Sequence, residues 1–376
     1  MPYRMDKILV LQLPNQLNQQ ASVNTLSIKS LILGSSGYVG SELIRLIEMH
    51  PDYELTSVVS ESHSCKKVSD VFPHLFLTKK NQIFDNFESY LNNIDAGDNI
   101  AIFSAAPHGK SALLISRVLS ELSNKASEIR VVDSSADFRF SSKEEFKKIY
   151  GFDHPKPDLL KHFVSGAPEL ININQEKYAA HPGCFATAVS LSIAPLVNSN
   201  IVSNEFFINA VTGSTGSGKR PKENTHHPER HSNYFAYKAL AHRHAPEIES
   251  HIKTRTTQNV KVNFVPCSGP FSRGIYSTCF AKLTQPFSKN EVISLYGDFY
   301  SKSIFIRIKN DPPRIKDIVS SNYCDLSFSV NGYDLVITAA IDNLIKGAAG
   351  GSIQLMNKLW GLDDCRGLQS SSVPWT

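Results

Sequence analysis

The sequence lacks any apolar run of the roughly 18–20 residues that a membrane-spanning helix needs. It has only six cysteines, at positions 65, 184, 267, 279, 324 and 365, and none belongs to a CxxC pair. This spacing argues against a disulfide framework or a zinc site, so a reducing cytoplasm is the expected compartment. Excess charge of one sign is also missing, because the net charge is only +4. A dispersed charge of this size favours neither nucleic acid nor a membrane as partner.

The first 27 residues lack the features of a secretory signal. Their apolar run, Ile8–Leu13, is shorter than the roughly 7–15 residues of a signal core, and no small-residue cleavage site follows it. We interpret residues 1–27 as an N-terminal extension outside the fold.

The remaining chain is long enough for two domains with their own cores. In its first part, short apolar runs alternate with helical patterns. The predicted strands are Ile28–Leu33, Glu54–Val59, Ile100–Phe103 and Ile129–Val132, and the predicted helices are Gly40–His50 and Lys110–Leu122. This alternation predicts an α/β domain with a Rossmann-type, doubly wound parallel sheet.

The second part has strand patterns with fewer helices between them. The candidates are Phe206–Val211, Val260–Val265, Ile275–Leu283, Leu326–Val330 and Leu335–Ile341. They predict a second, α+β domain with a mostly antiparallel sheet. A final helix is predicted over Gly347–Leu359. We expect a dinucleotide-binding domain over 28–183, a catalytic, substrate and dimerisation domain over 184–345, and a C-terminal helix within 346–376 that returns to the first domain.

A glycine-rich turn follows the first strand and opens a helix. It places Gly34, Gly37 and Gly40 around Ser36, Tyr38 and Val39. In this context a dinucleotide pyrophosphate binds at a helix N-terminus, and the glycines allow close approach of the backbone. The spacing is GxxGxxG, and the alternative is an ordinary tight turn.

The end of the second strand bears on the choice of cofactor. Glu61 is suited to a ribose 2′-hydroxyl, as in NAD, whereas Ser60, Ser62 and Ser64, with Lys66 and Lys67 beyond, are suited to a 2′-phosphate. The residues alone leave this choice nearly balanced, with a small preference for NADP.

Cys184 lies where a Pro-Gly turn meets an apolar helix. A thiol at a helix N-terminus feels the positive end of the dipole, which favours the thiolate, and the thiolate is the nucleophile. The position therefore suits covalent catalysis. The alternative is a buried structural cysteine.

A histidine-rich segment follows, with five histidines within 19 residues: His226, His227, His231, His242 and His244. A cysteine enzyme that transfers acyl groups needs a general base and a carboxylate to orient it, and Glu247 is placed to orient either His242 or His244. Arg230, Lys238 and Arg243 are candidates to neutralise a phosphate or a carboxylate. His227 and His231 suggest a zinc site, but no cysteine or acidic cluster completes it and Pro228 separates them, so we predict no metal.

The stretch from Gly213 to Lys219 fits GxxxxGK, yet Arg220 stands where a phosphate-binding loop needs Ser or Thr for Mg²⁺. Pro221 then interrupts the expected helix. We interpret the loop, including Gly218, as a substrate or nicotinamide loop and not as an ATPase signal.

Taken together, these segments resemble the N-acetyl-gamma-glutamyl-phosphate reductases, within the wider aspartate-semialdehyde dehydrogenase-like group. The likeness runs from about residue 28 to the C-terminal region. Its motifs are Gly34–Gly40, Ala106-Pro-His108-Gly, Asp133-Ser-Ser-Ala-Asp137-Phe-Arg139, Pro182-Gly-Cys184, His242-Arg-His244-Ala-Pro-Glu247-Ile and Asp342-Asn343-Leu-Ile-Lys346-Gly347.

The resemblance implies a reaction and roles. Cys184 would attack an acyl phosphate and expel phosphate, and hydride from NADPH would then give a semialdehyde. His242 would be the acid/base, with His244 as the alternative and Glu247 as the orienting group. The resemblance also implies the remaining roles: Ser135, Arg139, Lys238 and Arg243 toward the anionic substrate, and His108 and Asn343 beside the nicotinamide. It implies NADP as cofactor and a homo-oligomer, dimer or tetramer.

The expected function is NADPH-dependent reductive dephosphorylation of N-acetyl-gamma-glutamyl phosphate to N-acetyl-glutamate semialdehyde, in arginine biosynthesis. Two segments depart from that pattern, His227-Pro-Glu-Arg230 and Tyr237-Lys238. They resemble the branch that includes reductases of carrier-protein-linked aminoadipyl or glutamyl phosphates, in lysine and ornithine biosynthesis. An acetyl group, a succinyl group or a carrier protein acting in trans therefore all stay open. A catalytically inactive NADP-binding regulatory protein is the alternative from another class.

Overall fold

The computed structural model describes residues 27–75, 81–254 and 259–373. The predicted N-terminal extension therefore lies outside the described residues, except for Ser27. Among the described residues, no helix is both long and apolar enough to cross a bilayer.

The first domain is built on a six-stranded parallel sheet in the order β2-β1-β3-β4-β6-β5. Its strands are β1 (Ile28–Leu33), β2 (Tyr53–Val59), β3 (Asn99–Ser104), β4 (Glu128–Asp133), β5 (Phe163–Ser165) and β6 (Tyr178–Ala180). Its helices are α1 (Tyr38–Glu48), α2 (Val68–Val71), α3 (Ser111–Leu122) and α4 (Lys143–Tyr150). The strands are nearly continuously apolar because helices cover both faces of the sheet. This confirms the predicted doubly wound architecture.

The second domain is built on a seven-stranded mixed sheet in the order β11-β12-β13-β10-β7-β9-β8. Its strands are β7 (Glu205–Thr212), β8 (Phe235–Ala236), β9 (Lys261–Ser268), β10 (Ile275–Lys282), β11 (Ile306–Ile308), β12 (Cys324–Asn331) and β13 (Asp334–Ile341). Its helices are α5 (Cys184–Asn198), α6 (His227–Arg230), α7 (His244–Lys253) and α8 (Lys289–Phe299). Four strand pairs are antiparallel and two are parallel. The α+β prediction is confirmed, with parallel pairing at β7–β9 and β11–β12.

Helix α5 is the centre of this second domain. Every residue from Phe185 to Val197 is buried, because the helix packs between the sheet and helices α7 and α8. A helix that is apolar on all sides is stable only in such a position. Cys184 is the first residue of this helix. Because the residues that follow it, Phe185 to Val197, are buried, the position of Cys184 at the edge of the domain is fixed.

The chain then returns to the first domain. Ile345–Ala349 forms one π-helical turn, which continues as α9 (Gly350–Leu359), so the helix predicted over Gly347–Leu359 begins in a wider form. The wide turn accompanies two backbone N–H groups that donate to the Asp342 carboxylate, from Leu344 and Ile345. Helix α9 packs on α1, β4 and β6.

Candidate active site

A cavity of about 570 Å³ lies between the two domains, where the strands of the parallel sheet end. Residues of the glycine turn line one side, including Gly37 and Gly40. Cys184, Arg139 and His244 line the other side. In doubly wound folds ligands bind at the carboxyl ends of the strands, so the cavity occupies the expected edge.

The glycine turn is shaped for close backbone approach. Gly34 has a φ of +74°, and a Cβ there would lie 2.5 Å from the Cα of Ala106. A Cβ on Gly40 would lie 2.1 Å from the carbonyl oxygen of Ser35. Gly37 caps α1 without a side-chain hydrogen bond, and the space beside it is open. No side chain caps the first N–H groups of α1, which lie at the cavity wall. These groups are therefore available to a pyrophosphate.

A second cavity of about 410 Å³ lies beyond the turn, at the end of β2. The hydroxyl of Ser60 donates to that of Ser36 at 2.9 Å, and Ser62 and His63 also line this space. The Glu61 carboxylate is well exposed and lies 3.8 Å from the Lys110 ammonium. The end of β2 therefore presents hydroxyl groups and one exposed, charge-balanced carboxylate.

Cys184 begins α5 and is partly accessible. Gly347 stands against it, since a Cβ on Gly347 would lie 2.7 Å from the Cβ of Cys184. Burial raises the pKa of the Cys184 thiol, and the nearby Arg139 and Arg243 charges lower it by less. The position of Cys184 at a helix N-terminus predicts a thiolate. The structure differs, because loss of hydration outweighs the positive surroundings and leaves a thiol that needs a base.

Glu247 holds the residues around Cys184 together. It lies on α7, fully buried, and accepts a hydrogen bond from the backbone N–H of Gly183 at 2.6 Å. Its other oxygen lies 3.3 Å from Nη1 of Arg139 and 4.0 Å from Nε2 of His244. The Glu247 carboxylate thus joins α7 to Gly183, the residue before the cysteine, and lies beside Arg139 and His244.

The two histidines predicted as acid/base occupy different places. His244 lines the cavity with Cys184, and its ring lies against Gly183, where an added Cβ would be 2.2 Å from Nε2. His242 is surrounded by the rings of Phe185, Tyr237 and Phe264 and does not line the cavity. Its Nδ1 accepts the backbone N–H of His244 at 3.2 Å.

Both rings are neutral at pH 7. Burial lowers the pKa of His242 to about 4, with the Arg243 and Lys238 charges acting in the same direction. Burial also lowers the pKa of His244 well below its usual value, and the charges of Arg139 and Arg243 add to that shift. A neutral imidazole can take a proton from a thiol, whereas an imidazolium cannot.

Arg139 is buried and mostly committed to the protein. Its Nε donates to the carbonyl of His181 at 3.0 Å and its Nη2 to the carbonyl of Ser134 at 3.2 Å, besides the pair with Glu247. Arginine has five N–H donors, so two remain for a ligand. Ser135 lines the same cavity but donates its hydroxyl to the Asp133 carboxylate at 2.7 Å.

His108 and Arg243 form an unusual pair. The backbone N–H of Ala136 donates to Nδ1 of His108 at 2.9 Å, and burial, together with the nearby arginine charges, lowers the pKa of this ring to about 3. The neutral ring therefore carries its proton on Nε2, which is a donor. Nη2 of Arg243 lies 3.1 Å from that nitrogen and can only donate too. Two donors side by side at a cavity wall suit an anionic oxygen that lies within reach of both.

The other predicted residues divide between the cavity and the surface. Asn343 lines the cavity, donates to the Thr215 hydroxyl at 2.9 Å and accepts the N–H of Gly274 at 2.7 Å. Gly218, with a φ of +83°, also lines it. Lys238 is exposed and is not part of the cavity wall.

The first three histidines of the rich segment stay outside this site. His226, His227 and His231 are exposed around the four-residue helix α6, and the described ranges contain no group of three or more His, Cys, Asp or Glu side chains placed for a metal. Arg230, a candidate for phosphate, is buried, and its guanidinium donates to the Ser268 hydroxyl and the Gly269 carbonyl. It holds the loop on the sheet.

Sequence reasoning missed two further features of the site. Lys346 forms a buried ion pair with Glu169 and donates to Gln354 at 2.8 Å, which anchors the π-helical turn behind Cys184. Lys219 and Arg220 line both cavities. The GK dipeptide after the glycine loop is the one sequence signal for Lys219. The pairing of Lys346 with Glu169 has no local signal, because the two residues are far apart in the chain.

Comparison with protein families identifies two domains in this chain. Residues 29–181 match the semialdehyde dehydrogenase NAD binding domain, and residues 184–343 match the semialdehyde dehydrogenase dimerisation domain. Known relatives cover almost the whole chain. N-acetyl-gamma-glutamyl-phosphate reductase of Lachnoclostridium phytofermentans is 35% identical over 91% of this chain and 98% of its own length, and that of Methanocaldococcus jannaschii is 35% identical over 90% and 96%.

Solved structures with low sequence identity share the fold. Aspartate semialdehyde dehydrogenase II from Vibrio cholerae, in complex with ASA, has a TM-score of 0.65 at 13% identity and covers 89% of this chain and 98% of its own. Aspartate semialdehyde dehydrogenase with NADP from Candida albicans has a TM-score of 0.64 at 15% identity, with the same coverage. These likenesses support the two-domain architecture described above.

Proposed function

Because the chain belongs to the N-acetyl-gamma-glutamyl-phosphate reductase family, we propose that it reduces N-acetyl-gamma-glutamyl phosphate to N-acetyl-glutamate semialdehyde with NADPH, in arginine biosynthesis. The observation that carries this proposal is the shared cavity. A partly accessible cysteine and a glycine turn shaped for a dinucleotide face the same space, together with uncommitted arginine donors. An acyl phosphate and a hydride donor must meet in that way.

His244 is the base in the mechanism that we propose. It lines the cavity beside Cys184 and is neutral, so it can accept the thiol proton as sulfur attacks the acyl carbon. The carbon–oxygen bond to phosphate breaks, and a thioester with Cys184 forms. Glu247 stabilises the resulting imidazolium from 4.0 Å, and its other oxygen accepts the backbone N–H of Gly183, the residue before the cysteine. His242 supports His244 through the hydrogen bond to its backbone.

Two pairs of donors are available for the anionic groups of the substrate. The Nε2–H of His108 and the guanidinium of Arg243 lie side by side at the cavity wall, so we assign them to the departing phosphate. Arg139 offers its two remaining N–H donors to the carbonyl oxygen or a carboxylate. Lys238 is exposed and does not line the cavity, so we propose that it meets only a substrate long enough to extend beyond the cavity.

The residues present fit NADP. The N–H groups at the start of α1 would hold the pyrophosphate, Ser60 the adenosine ribose, and Asn343 with Gly218 the nicotinamide side. When bound, NADPH supplies the hydride that reduces the thioester carbon. As the oxyanion re-forms the carbonyl of the aldehyde, the carbon–sulfur bond breaks and His244 returns its proton to the sulfur, which restores the Cys184 thiol.

We also propose that two copies of the chain associate through the second sheet. Helices α5, α7 and α8 cover one face of that sheet. On the other face, Phe207 and Phe280 are directly opposite each other on neighbouring strands and stay 56% and 49% exposed. Paired exposed aromatics on a sheet face are typical of an interface. The match to a dimerisation domain over the same residues supports a homodimer.

Three further assignments complete the proposal. The dinucleotide-binding domain spans residues 28–183, the catalytic, substrate and dimerisation domain spans 184–345, and the segment 346–376 brings α9 back onto the parallel sheet. We place the enzyme in the cytoplasm, where a thiol nucleophile stays reduced.

The reaction can be tested in reverse, by following NADPH formation from NADP, phosphate and N-acetyl-glutamate semialdehyde. We expect activity in the wild type and a loss of at least about 10⁴-fold in Cys184→Ser, because a serine hydroxyl is a much weaker nucleophile near pH 7. Cys267→Ser, at a buried cysteine outside the cavity, is the matched control. Activity that survives in Cys184→Ser would remove Cys184 from the mechanism. If the folded wild type binds NADP but turns over only carrier-linked phosphates, the proposed substrate is wrong and the carrier-linked phosphate takes its place.

A further inference from the structure

The glycine-rich loop that follows β7 is fixed to the second domain at its base. The Thr215 hydroxyl donates to the carbonyl of Ser272 at 2.6 Å and accepts from Asn343 at 2.9 Å. Gly213 has no room for a side chain, since a Cβ there would lie 2.4 Å from the same carbonyl oxygen. The conformation of this part of the loop is therefore set by the domain that carries Cys184.

Beyond Gly218 the loop crosses to the dinucleotide-binding domain. The Lys219 ammonium lies 4.4 Å from the centre of the Phe72 ring, which belongs to that domain. Burial lowers the pKa of His63, and the charges of Lys66 and Lys219 add to this shift, so the Lys219 charge reaches the His63 ring. Lys219 and Arg220 line the cavity at the end of β2, together with Ser60, Ser62 and His63.

The Lys219 ammonium has no carboxylate partner within the parts of the chain that the structure describes. Partial burial lowers its pKa, and no charged neighbour compensates. The carboxylate in the same cavity, Glu61, is already 3.8 Å from Lys110. Lys219, Arg220, His63 and serine hydroxyls thus surround a space whose one carboxylate, Glu61, already lies beside Lys110. Such surroundings suit a dianionic phosphate.

We propose that Lys219 and Arg220 bind the 2′-phosphate of the adenosine ribose, so that recognition of this phosphate comes from the catalytic domain as well as from the end of β2. This proposal rests on the proposed function, because it concerns the same cofactor. It has a consequence for the cleft. The bound 2′-phosphate would contact both domains at once, because the loop that carries Lys219 and Arg220 is held to Asn343 through Thr215.

The test measures binding of two cofactor fragments that lack the nicotinamide, by calorimetry at constant ionic strength. Adenosine 2′,5′-bisphosphate and adenosine 5′-monophosphate differ only by the 2′-phosphate. We expect the wild type to prefer the bisphosphate by at least about tenfold, as one or two charged hydrogen bonds allow. Lys219→Met should reduce this preference to about twofold or less, with a larger loss of affinity for the bisphosphate than for the monophosphate, and Lys219→Arg should keep most of the preference.

Two matched variants make the result specific. Lys66→Met removes the lysine near His63 that belongs to the first domain, and Lys222→Met removes a lysine of the same loop that lines only the catalytic cavity. Both should keep the preference for the bisphosphate. The proposal is overturned if Lys219→Met and the double variant with Arg220→Gln keep the wild-type ratio, or if Lys66→Met alone abolishes it. If the wild type binds both fragments equally well, both the contact of the 2′-phosphate with the loop and the choice of NADP in the proposed function are wrong.

Discussion

The histidine-rich segment contains two groups of the same residue type in opposite surroundings. His226, His227 and His231 are exposed around a helix of four residues. His242 and His244 are packed against the start of α5, among aromatic rings and beside buried Glu247. Of the five, only His244 lines the cavity with Cys184, the proposed nucleophile. The comparison teaches that burial and a fixed carboxylate, and not the abundance of imidazole, make a histidine available for catalysis.

The difference arises from the residues that come after each group in the chain. His244 begins α7, a helix of ten residues whose apolar face buries Ile248 and Ile252 and carries Glu247 into the core. After His226 and His227 the helix ends within one turn, and its buried member is Arg230, which holds the loop. A short helix without an apolar face cannot hold its histidines against a core.

The strongest test of this comparison is His244→Gln. Glutamine keeps a similar size and polarity but cannot take up the thiol proton, so we expect the rate of the reverse reaction to fall by about 10³-fold, with NADP binding unchanged. His242→Gln should lower the rate by less than about tenfold, because this ring only supports its neighbour. A larger loss in His242→Gln than in His244→Gln would reverse the assignment of the base.

Glu247→Gln should have a smaller effect on rate, about 10- to 100-fold, since the amide oxygen can still accept the N–H of Gly183. The carboxylate raises the pKa of Cys184, and Arg139 lowers it. Removing the negative charge therefore shifts the pKa of the thiol downward. Alkylation of Cys184 by iodoacetamide should then reach half of its maximal rate at a lower pH than in the wild type.

The matched control for this change is Glu249→Gln on the same helix. Its carboxylate accepts the N–H of Val262 at 2.8 Å, far from the thiol, so the alkylation profile should not move. An upward shift in Glu247→Gln, or an equal shift in both variants, would contradict the role given to Glu247.

The smallest expected effect is that of His227→Gln in the exposed group. Surface substitutions of this kind change the free energy of unfolding by about 0.5 kcal/mol or less, and we expect activity within about twofold of the wild type. Steady-state kinetics and thermal unfolding with and without added Zn²⁺ check this. Stabilisation by Zn²⁺ that the variant loses would show that the exposed group is a metal site after all.

Much of the fold follows from local patterns in the sequence. The alternation of apolar runs and helical patterns up to residue 133 predicted the parallel sheet, because buried parallel strands are continuously apolar. Likewise the apolar run after Cys184 predicted α5. These features depend on neighbours in the chain, which the sequence shows directly.

The arrangement of the site depends on distant residues and was harder to predict. Nothing near Cys184 in the sequence shows that burial outweighs the helix dipole in setting the pKa of its thiol. The choice between His242 and His244 depends on three rings from α5, β9 and the preceding loop. The reach of Lys219 to Phe72 joins residues of different domains, which no spacing rule covers.

The contact between Gly347 and Cys184 also limits how this enzyme can change over evolutionary time. Even a single methyl group on residue 347 would require the Cβ of Cys184, 2.7 Å away, to shift. The two positions are therefore coupled, and a bulkier residue at either one becomes acceptable only when the other adjusts. Residue 347 lies in the π-helical turn that leads into α9. A substitution that moves this turn therefore changes both the packing of α9 and the position of the Cys184 sulfur.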